Sequence, residues 1–349
     1  MVLAGVAASG EEGVAMQLEL KPDIITMDVE MKGIGGLEAA RLIIARNGPP
    51  IIMISSLTHD GAETTLRALE IGAVDFIPKP NSAYIDILRV KHDLIEKIRF
   101  FGARAIGLRQ LATRTTPAPP FVARIAAAVS PAVTPLPATA RLGLGSRPAA
   151  VRSGSFECVA IGTSTGGPVA LATVLPRLPK SFPLPILIVQ HMPPGFTKAL
   201  ADRLNTASQI TVVEGENGMR LERGTAIIAP AGQQLTLQRV GGSIELRLAA
   251  DIKKSLHVPS VDIMAAAVGE TFGAAAIGVI LTGMGHDGVA GLAVIKKNGG
   301  YVIGQDEASA VVYGMPRAAA VAGLVDRVVS LADVARALCE VAGATYAAG

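Results

Sequence analysis

The chain has no tryptophan, and aromatic residues make up only 3% of its 349 positions. Apolar residues nevertheless reach 50%, so the expected cores are aliphatic. Cysteine is nearly absent. Cys158 and Cys339 cannot build a disulfide framework and read as reduced core residues of a cytoplasmic protein. No apolar run reaches the ~18 residues that cross a bilayer. No charged start followed by an apolar stretch marks a secretory signal. The net charge of +3 is too small to imply nucleic-acid binding by itself. Five scattered histidines and two distant cysteines give no metal-ligand spacing, so no catalytic cofactor is expected.

What is present is an alternation of short apolar strands and amphipathic helices over a length that suggests two domains. From 1 to 103, IITMD, IIMIS and VDFIP read as strands. GLEAARLIIARNG and DGAETTLRALEIG read as helices that close on glycine, and Tyr84 to Phe101 as a third helix. Residues 104–153 hold seven Pro, seven Arg and no acid, the composition of a basic spacer, with one helical turn expected near Val122 to Val129. A docking surface for an acidic partner is the alternative reading of this spacer. From 154 to 349, strands are expected at 158–162, 185–190, 225–229, 275–282 and 301–304. QLTLQRVGGSIELRL is expected to be an inserted hairpin. The predicted fold class is α/β, two doubly wound domains with parallel sheets.

Three segments of the second region end a strand on a reactive side chain. GTSTGGP offers Ser164, VQHMPPGF offers His191, and LTGMGHDG offers Asp287. Loops at the carboxyl ends of parallel strands converge on one crevice. A hydroxyl, an imidazole and a carboxylate there suit a serine nucleophile, because serine needs a base and the base needs an orienting acid. Singly, each residue has a plainer reading. The glycine-rich joint could bind phosphate or merely turn. His191 could be a hydrogen-bonded loop residue, and Asp287 could cap the following helix. His286 is the rival base, and His257 in HVPSVD reads as a rim or substrate-contact residue. Two other classes stay open: a nucleotide-binding module and a DNA-binding response-regulator output. The phosphate-loop and dinucleotide patterns are absent from GTSTGGP, and residues 154–349 show no helix-turn-helix.

The blocks GTSTGGP, VQHMPPGFT, IIAPAGQQL, HVPSVD, LTGMGHDG and QDEASAVVYGMPRAA resemble, in order, those of the bacterial chemotaxis protein-glutamate methylesterase (CheB) family. The resemblance implies a Rossmann-like catalytic domain that hydrolyses glutamate γ-methyl esters on methyl-accepting chemotaxis receptors, releasing methanol, and deamidates receptor glutamines. By it Ser164 is the nucleophile, His191 the general base and acid, and Asp287 the orienting carboxylate. Met284 supplies an oxyanion N–H, and Thr165 hydrogen-bonds the histidine. Gln234 departs from a histidine common at that place in the family. Family precedent favours a monomer without nucleic acid or membrane insertion.

In the first region TMDVEM, IMISSLT and VDFIPKP resemble a two-component receiver, a flavodoxin-like fold. The resemblance implies that Asp28 accepts a phosphoryl group from the chemotaxis histidine kinase, with Mg²⁺. Ser55 is then the switch hydroxyl, and Lys79 contacts the phosphoryl group. VLAGVAASGEEGVA aligns with the second receiver strand and helix, so the first strand, its acid pair and the first helix are expected to be missing. A misplaced start codon and a degenerate receiver are the two explanations. Asp28 alone predicts weak metal binding, poor phosphorylation and activity largely independent of phosphodonor. Loss of a central strand predicts two exposed sheet edges.

Overall fold

The structure, a computed structural model, describes residues 1–79, 84–112, 156–250 and 255–346. The chain divides into two compact units, Met1–Ile125 with Met192–Leu200, and Ala126–His191 with Ala201–Gly349.

The first unit carries a three-stranded parallel sheet in the order β1 (Ile25–Asp28), β2 (Ile51–Ser55), β3 (Asp75–Pro78). Helices α1 (Gly10–Leu20), α2 (Gly35–Ala45) and α3 (His59–Glu70) alternate with these strands. α1 starts on Ser9, whose hydroxyl accepts the Glu12 N–H, and α3 starts in the same way on Thr58. Two expectations are corrected here. Residues 2–7 form no strand. Among the described residues they have no ladder partner, and Val2, Leu3 and Val6 are exposed. Helix α4 (Tyr84–Ala112) runs past Phe101 into the expected spacer, because Arg, Ala, Ile, Leu and Gln there all favour helix and the first proline comes only at Pro117. The turn expected near Val122 to Val129 lies outside the described residues.

The second unit is built on a seven-stranded parallel sheet, β12-β11-β10-β4-β5-β7-β6. Its centre is β4 (Cys158–Thr163), flanked by β5 (Ile186–Gln190) and β10 (Ala276–Ile280). All three are buried along their whole length, which is why they read as continuous apolar runs. β7 (Thr225–Ile228) and β11 (Tyr301–Gln305) complete the strands that sequence predicts. The two edges, β6 (Thr211–Glu214) and β12 (Arg327–Val329), escape prediction because runs this short show no periodicity. The predicted hairpin pairs fully, β8 (Gln234–Val240) with β9 (Ser243–Ala249), turning at Gly241-Gly242.

Helices α5 (Gly167–Val174), α6 (Phe196–Ala207), α7 (Val261–Phe272), α8 (Val289–Lys297), α9 (Met315–Val321) and α10 (Val334–Ala342) belong to the same αβ pattern. An aliphatic core containing Leu187, Val261, Met264, Ile280 and Ile295 binds α7 and α8 to the sheet. The chain leaves β4 toward β5 on one side and later returns to β10 on the other. The order therefore reverses at β4, where a doubly wound sheet opens its crevice.

Candidate functional site

Ser164 follows β4 directly. The turn is tight: Gly167 N–H donates to Ser164 O at 2.8 Å, and Gly166 has φ +78°. A side chain at Gly166 would also strike Val311, so glycine is required there twice over. Pro168 occupies the first turn of α5, where no N–H is needed. The Ser164 N–H is anchored on Thr282 O, 3.0 Å away, beyond the end of β10.

His191 follows β5 in the same way. Thr163 and Gln190 are register partners, so Ser164 and His191 occupy equivalent positions beyond neighbouring parallel strands, about 4.8 Å apart in the ladder direction. The His191 N–H donates to Thr163 O at 3.2 Å. Its ring nitrogen Nε2 lies 2.7 Å from Asp287 Oδ2. An ionised carboxylate only accepts, so the proton of the neutral ring sits on Nε2 and Nδ1 carries the lone pair. Nδ1 is buried and makes no hydrogen bond among the described residues. The resemblance-based bond from Thr165 to this ring is therefore not formed. Thr165 is buried, and its carbonyl takes the Thr282 hydroxyl at 2.9 Å. No hydrogen bond joins Ser164 Oγ to His191 either. The structure brings His191 and Asp287 into contact and sets Ser164 on the adjacent strand end.

Asp287 does not cap the helix that follows it. Its carboxylate sits at the start of α7 instead. Oδ2 accepts Val261 N–H at 2.7 Å, and Oδ1 accepts Ser260 Oγ at 2.9 Å and Asp262 N–H at 3.0 Å. Asp262 returns the service. Its Oδ1 accepts Gly288 N–H and Gly291 N–H, both at 2.9 Å, and so caps α8. Each helix is capped by a carboxylate from the other's approach, which locks the loop bearing Asp287. Burial pushes the Asp287 carboxyl up, but the His191 hydrogen bond and the Asp262 and Val261 N–H groups outweigh it and hold the group well below the usual carboxylate range. Burial pushes the half-buried Asp262 the other way, above that range; the nearby Asp287 charge adds to the rise, and the Gly291 and Gly288 N–H groups oppose it.

Met284 lies beside Ser164 through Gly283, where an added Cβ would come 2.9 Å from Ser164 Cβ. The Gly283 carbonyl accepts both Gly314 N–H and Met315 N–H. In a trans peptide the N–H points opposite to the C=O, so these bonds fix the direction of the Met284 N–H. That N–H has no acceptor among the described residues.

His257 stacks on His191, with ring centroids 4.0 Å apart and planes 10° apart. Gln234 holds this segment. It donates to His257 O at 2.9 Å and accepts Ser260 N–H at 2.8 Å. An amide both donates and accepts, as a neutral imidazole does, which accounts for its place here. His286 is exposed, and its carbonyl takes the Val289 N–H. Ser260, Asp262 and Gln190 escape the sequence pattern. A serine before an apolar helix and a glutamine ending the strand ILIVQ were the available signals.

In the first unit Asp28 ends β1 and Lys79 follows β3, with Nζ 3.0 Å from Asp28 Oδ2 and 3.4 Å from Glu30 Oε2. The Asp28 hydrogen bond raises the Lys79 ammonium above its ordinary value against a smaller effect of burial. Ser55 is fully buried, and its hydroxyl donates to Gly61 O at 3.1 Å rather than joining Asp28. Ser56 instead reaches Glu30 at 2.9 Å. Mg²⁺ demands several oxygen ligands. Among the described residues no group of three acidic, histidine or cysteine side chains could hold a metal.

Two family descriptions match the chain: CheB methylesterase over residues 159–338, and response regulator receiver domain over residues 1–87. A protein-glutamate methylesterase/protein-glutamine glutaminase 1 of Shewanella denitrificans is 44% identical over 359 residues, covering 97% of this chain and 92% of the relative. A protein-glutamate methylesterase/protein-glutamine glutaminase of Lawsonia intracellularis is 41% identical, covering 98% of this chain and 91% of its own. The crystal structure of the Thermotoga maritima CheB methylesterase catalytic domain is 42% identical. It superposes with a TM-score of 0.52, covering 53% of this chain and 98% of that one.

Proposed function

The chain belongs to the CheB methylesterase family, and from that premise we propose that Ser164, His191 and Asp287 carry its hydrolysis of protein-glutamate γ-methyl esters. It is a carboxylic ester hydrolase whose relatives are also protein-glutamine glutaminases. The observation that supports these residues is the state of His191: Nε2 held by an ionised Asp287, and Nδ1 buried with its lone pair uncommitted, one strand from Ser164.

Ser164 Oγ attacks the ester carbonyl while Nδ1 takes its proton. Asp287 keeps the other nitrogen protonated and stabilises the ring as it becomes charged. The negative oxygen of the tetrahedral intermediate accepts the Met284 N–H. Methanol leaves with the proton from Nδ1, and water then opens the acyl-enzyme by the same path. A glutamine side chain enters the same sequence with ammonia as leaving group. No cofactor takes part in these steps.

The substrates are methyl-accepting chemotaxis receptors, met by a monomer in the cytoplasm without nucleic acid or membrane insertion. Among the described residues no helix is long and apolar enough to cross a membrane. The working parts are a receiver at 1–103, whose last helix runs on to Ala112, then a spacer, and a catalytic domain at 154–349. Incubated with methylated receptor, the protein is expected to release methanol and to carry a transient ester on the Ser164 peptide. Methanol release with no trapped Ser164 ester would remove this site from the reaction.

The receiver is the regulatory part, with Asp28 as phosphoryl acceptor from the chemotaxis histidine kinase, Lys79 as contact and Ser55 as switch. Mg²⁺ would assist that transfer, with Asp28 as the one acid the receiver resemblance supplies. Acetyl phosphate with Mg²⁺ is therefore expected to change methanol release by less than about twofold. Stimulation of several-fold would show that the receiver phosphorylates well.

A further inference from the structure

Gln190 is a polar side chain in an otherwise apolar strand, only 1% exposed, and the hydrolytic steps give it no task. Its Nε2 donates to two carbonyls, Ser164 O at 2.9 Å and His191 O at 3.0 Å. These belong to the residues just beyond β4 and β5. Both neighbours are acceptors, so the amide must present nitrogen to them, and oxygen in that place would face two carbonyls unpaired. The amide oxygen accordingly turns away. It is buried and makes no hydrogen bond. A buried acceptor without a partner is costly, and an apolar side chain of the same length would fill the space without that cost.

The oxygen lies against the backbone of Gly167, where an added Cβ would fall 1.9 Å from it and 2.9 Å from the amide carbon. The last glycine of GTSTGGP thus makes room for the amide of Gln190, and for the Thr163 hydroxyl beside it. The nucleophile turn receives four restraints: Ser164 N–H on Thr282 O, Gly167 N–H and the Gln190 amide on Ser164 O, and the register of β4 with β5. Of these, the Gln190 amide also reaches the His191 carbonyl, in addition to the His191 N–H bond to Thr163 O.

We propose that Gln190 is a positioning residue for the hydrolysis: its amide ties the Ser164 and His191 main chains together and sets the reach of the nucleophile to Nδ1, in a slot that Gly167 keeps open. The proposal rests on the assignment of Ser164 as nucleophile and His191 as base. Displacing a reacting group by about 1 Å costs on the order of 100-fold in rate.

The test uses three variants of the full chain and two readouts. Gln190→Met keeps the length and removes the donors. Gln190→Glu sets a carboxylate against two carbonyls. Gly167→Ala pushes the amide out of its slot without altering it, while also crowding the Thr163 hydroxyl. The readouts are kcat and KM for methanol release, and the rate at which a small aryl sulfonyl fluoride modifies Ser164. In that reaction the Oγ–S bond forms, fluoride leaves, and the hydroxyl proton passes to the base. Ser164→Ala is the blank for both. Gln190→Met is expected to lower kcat and sulfonylation together by roughly 10- to 100-fold with KM nearly unchanged. Gln190→Glu should lose at least as much, and Gly167→Ala should resemble Gln190→Met. The Gln190→Met, Gly167→Ala double variant should be no worse than the worse single, because both remove one clamp. Wild-type sulfonylation in Gln190→Met, a loss confined to KM, or fully additive losses would overturn the proposal. Should Gln190→Met fail to fold, wild-type sulfonylation in Gly167→Ala overturns it equally. A wild-type chain that is sulfonylated at Ser164 yet releases no methanol refutes the esterase reading, while Gln190 is still judged by sulfonylation.

Discussion

Replacing Ser164 by Ala is expected to lower methanol release by about 10⁶-fold in kcat, the scale seen when a serine nucleophile is deleted from such a unit. Nothing else in the described site can form the acyl intermediate. Thr165 is buried with its carbonyl engaged by Thr282, and both cysteines are buried, with burial pushing Cys158 beyond the ordinary thiol range and Cys339 up to about 11. The Ser164 hydroxyl itself holds no structural bond among the described residues, so its loss should leave the melting temperature nearly unchanged. Receptor binding should persist for the same reason. The assay is methanol release against a calibrated wild-type rate, with receptor binding measured in parallel. A residual rate within about a hundredfold of wild type would require another nucleophile.

That this site could be approached from sequence follows from how parallel sheets are made. Strands buried on both faces, such as ILIVQ and AIGVI, announce themselves as apolar runs, and a polar residue just past such a run lies on the open side of the sheet. Ser164 and His191 follow this rule. The loop between β10 and α8 does not. Asp287 lies seven residues beyond Ile280, and sequence offered helix capping and catalysis as rival roles. The structure shows a combination that neither reading contains: Asp287 caps α7 while holding His191, and Asp262 caps α8. Local sequence cannot reveal a cap exchanged between helices that meet only through tertiary packing. The orientation of the imidazole is equally hidden, because it depends on which nitrogen the distant carboxylate reaches. Edge strands β6 and β12 and the extension of α4 were lost for a simpler reason. Short runs lack period, and composition that reads as spacer still includes residues that favour helix.

The exchanged caps make the acid the residue whose conservative change should be least tolerated. Asp287→Asn preserves volume but leaves one acceptor oxygen where the carboxylate offers two. Four donors converge on Asp287: His191 Nε2 and Val261 N–H on one oxygen, Ser260 Oγ and Asp262 N–H on the other. An amide nitrogen turned toward His191 would drive the ring proton to Nδ1 and abolish the base. Turned toward Ser260 and Asp262, it leaves the partly buried Asp262 N–H unpaired. The expected cost is about 10⁴-fold in kcat, as for amide replacement of a triad acid elsewhere. A stability loss of about 1–3 kcal/mol for the unpaired donor is expected by denaturant unfolding. The sign of its pH dependence is fixed. A carboxyl depressed by folding stabilises the native state above the unfolded value of about 3.9, and that contribution fades as pH falls below it. The stability gap between wild type and Asp287→Asn should therefore be full near neutrality and narrow steadily in acid. A gap independent of pH would mean that Asp287 is not held ionised by this ring of donors.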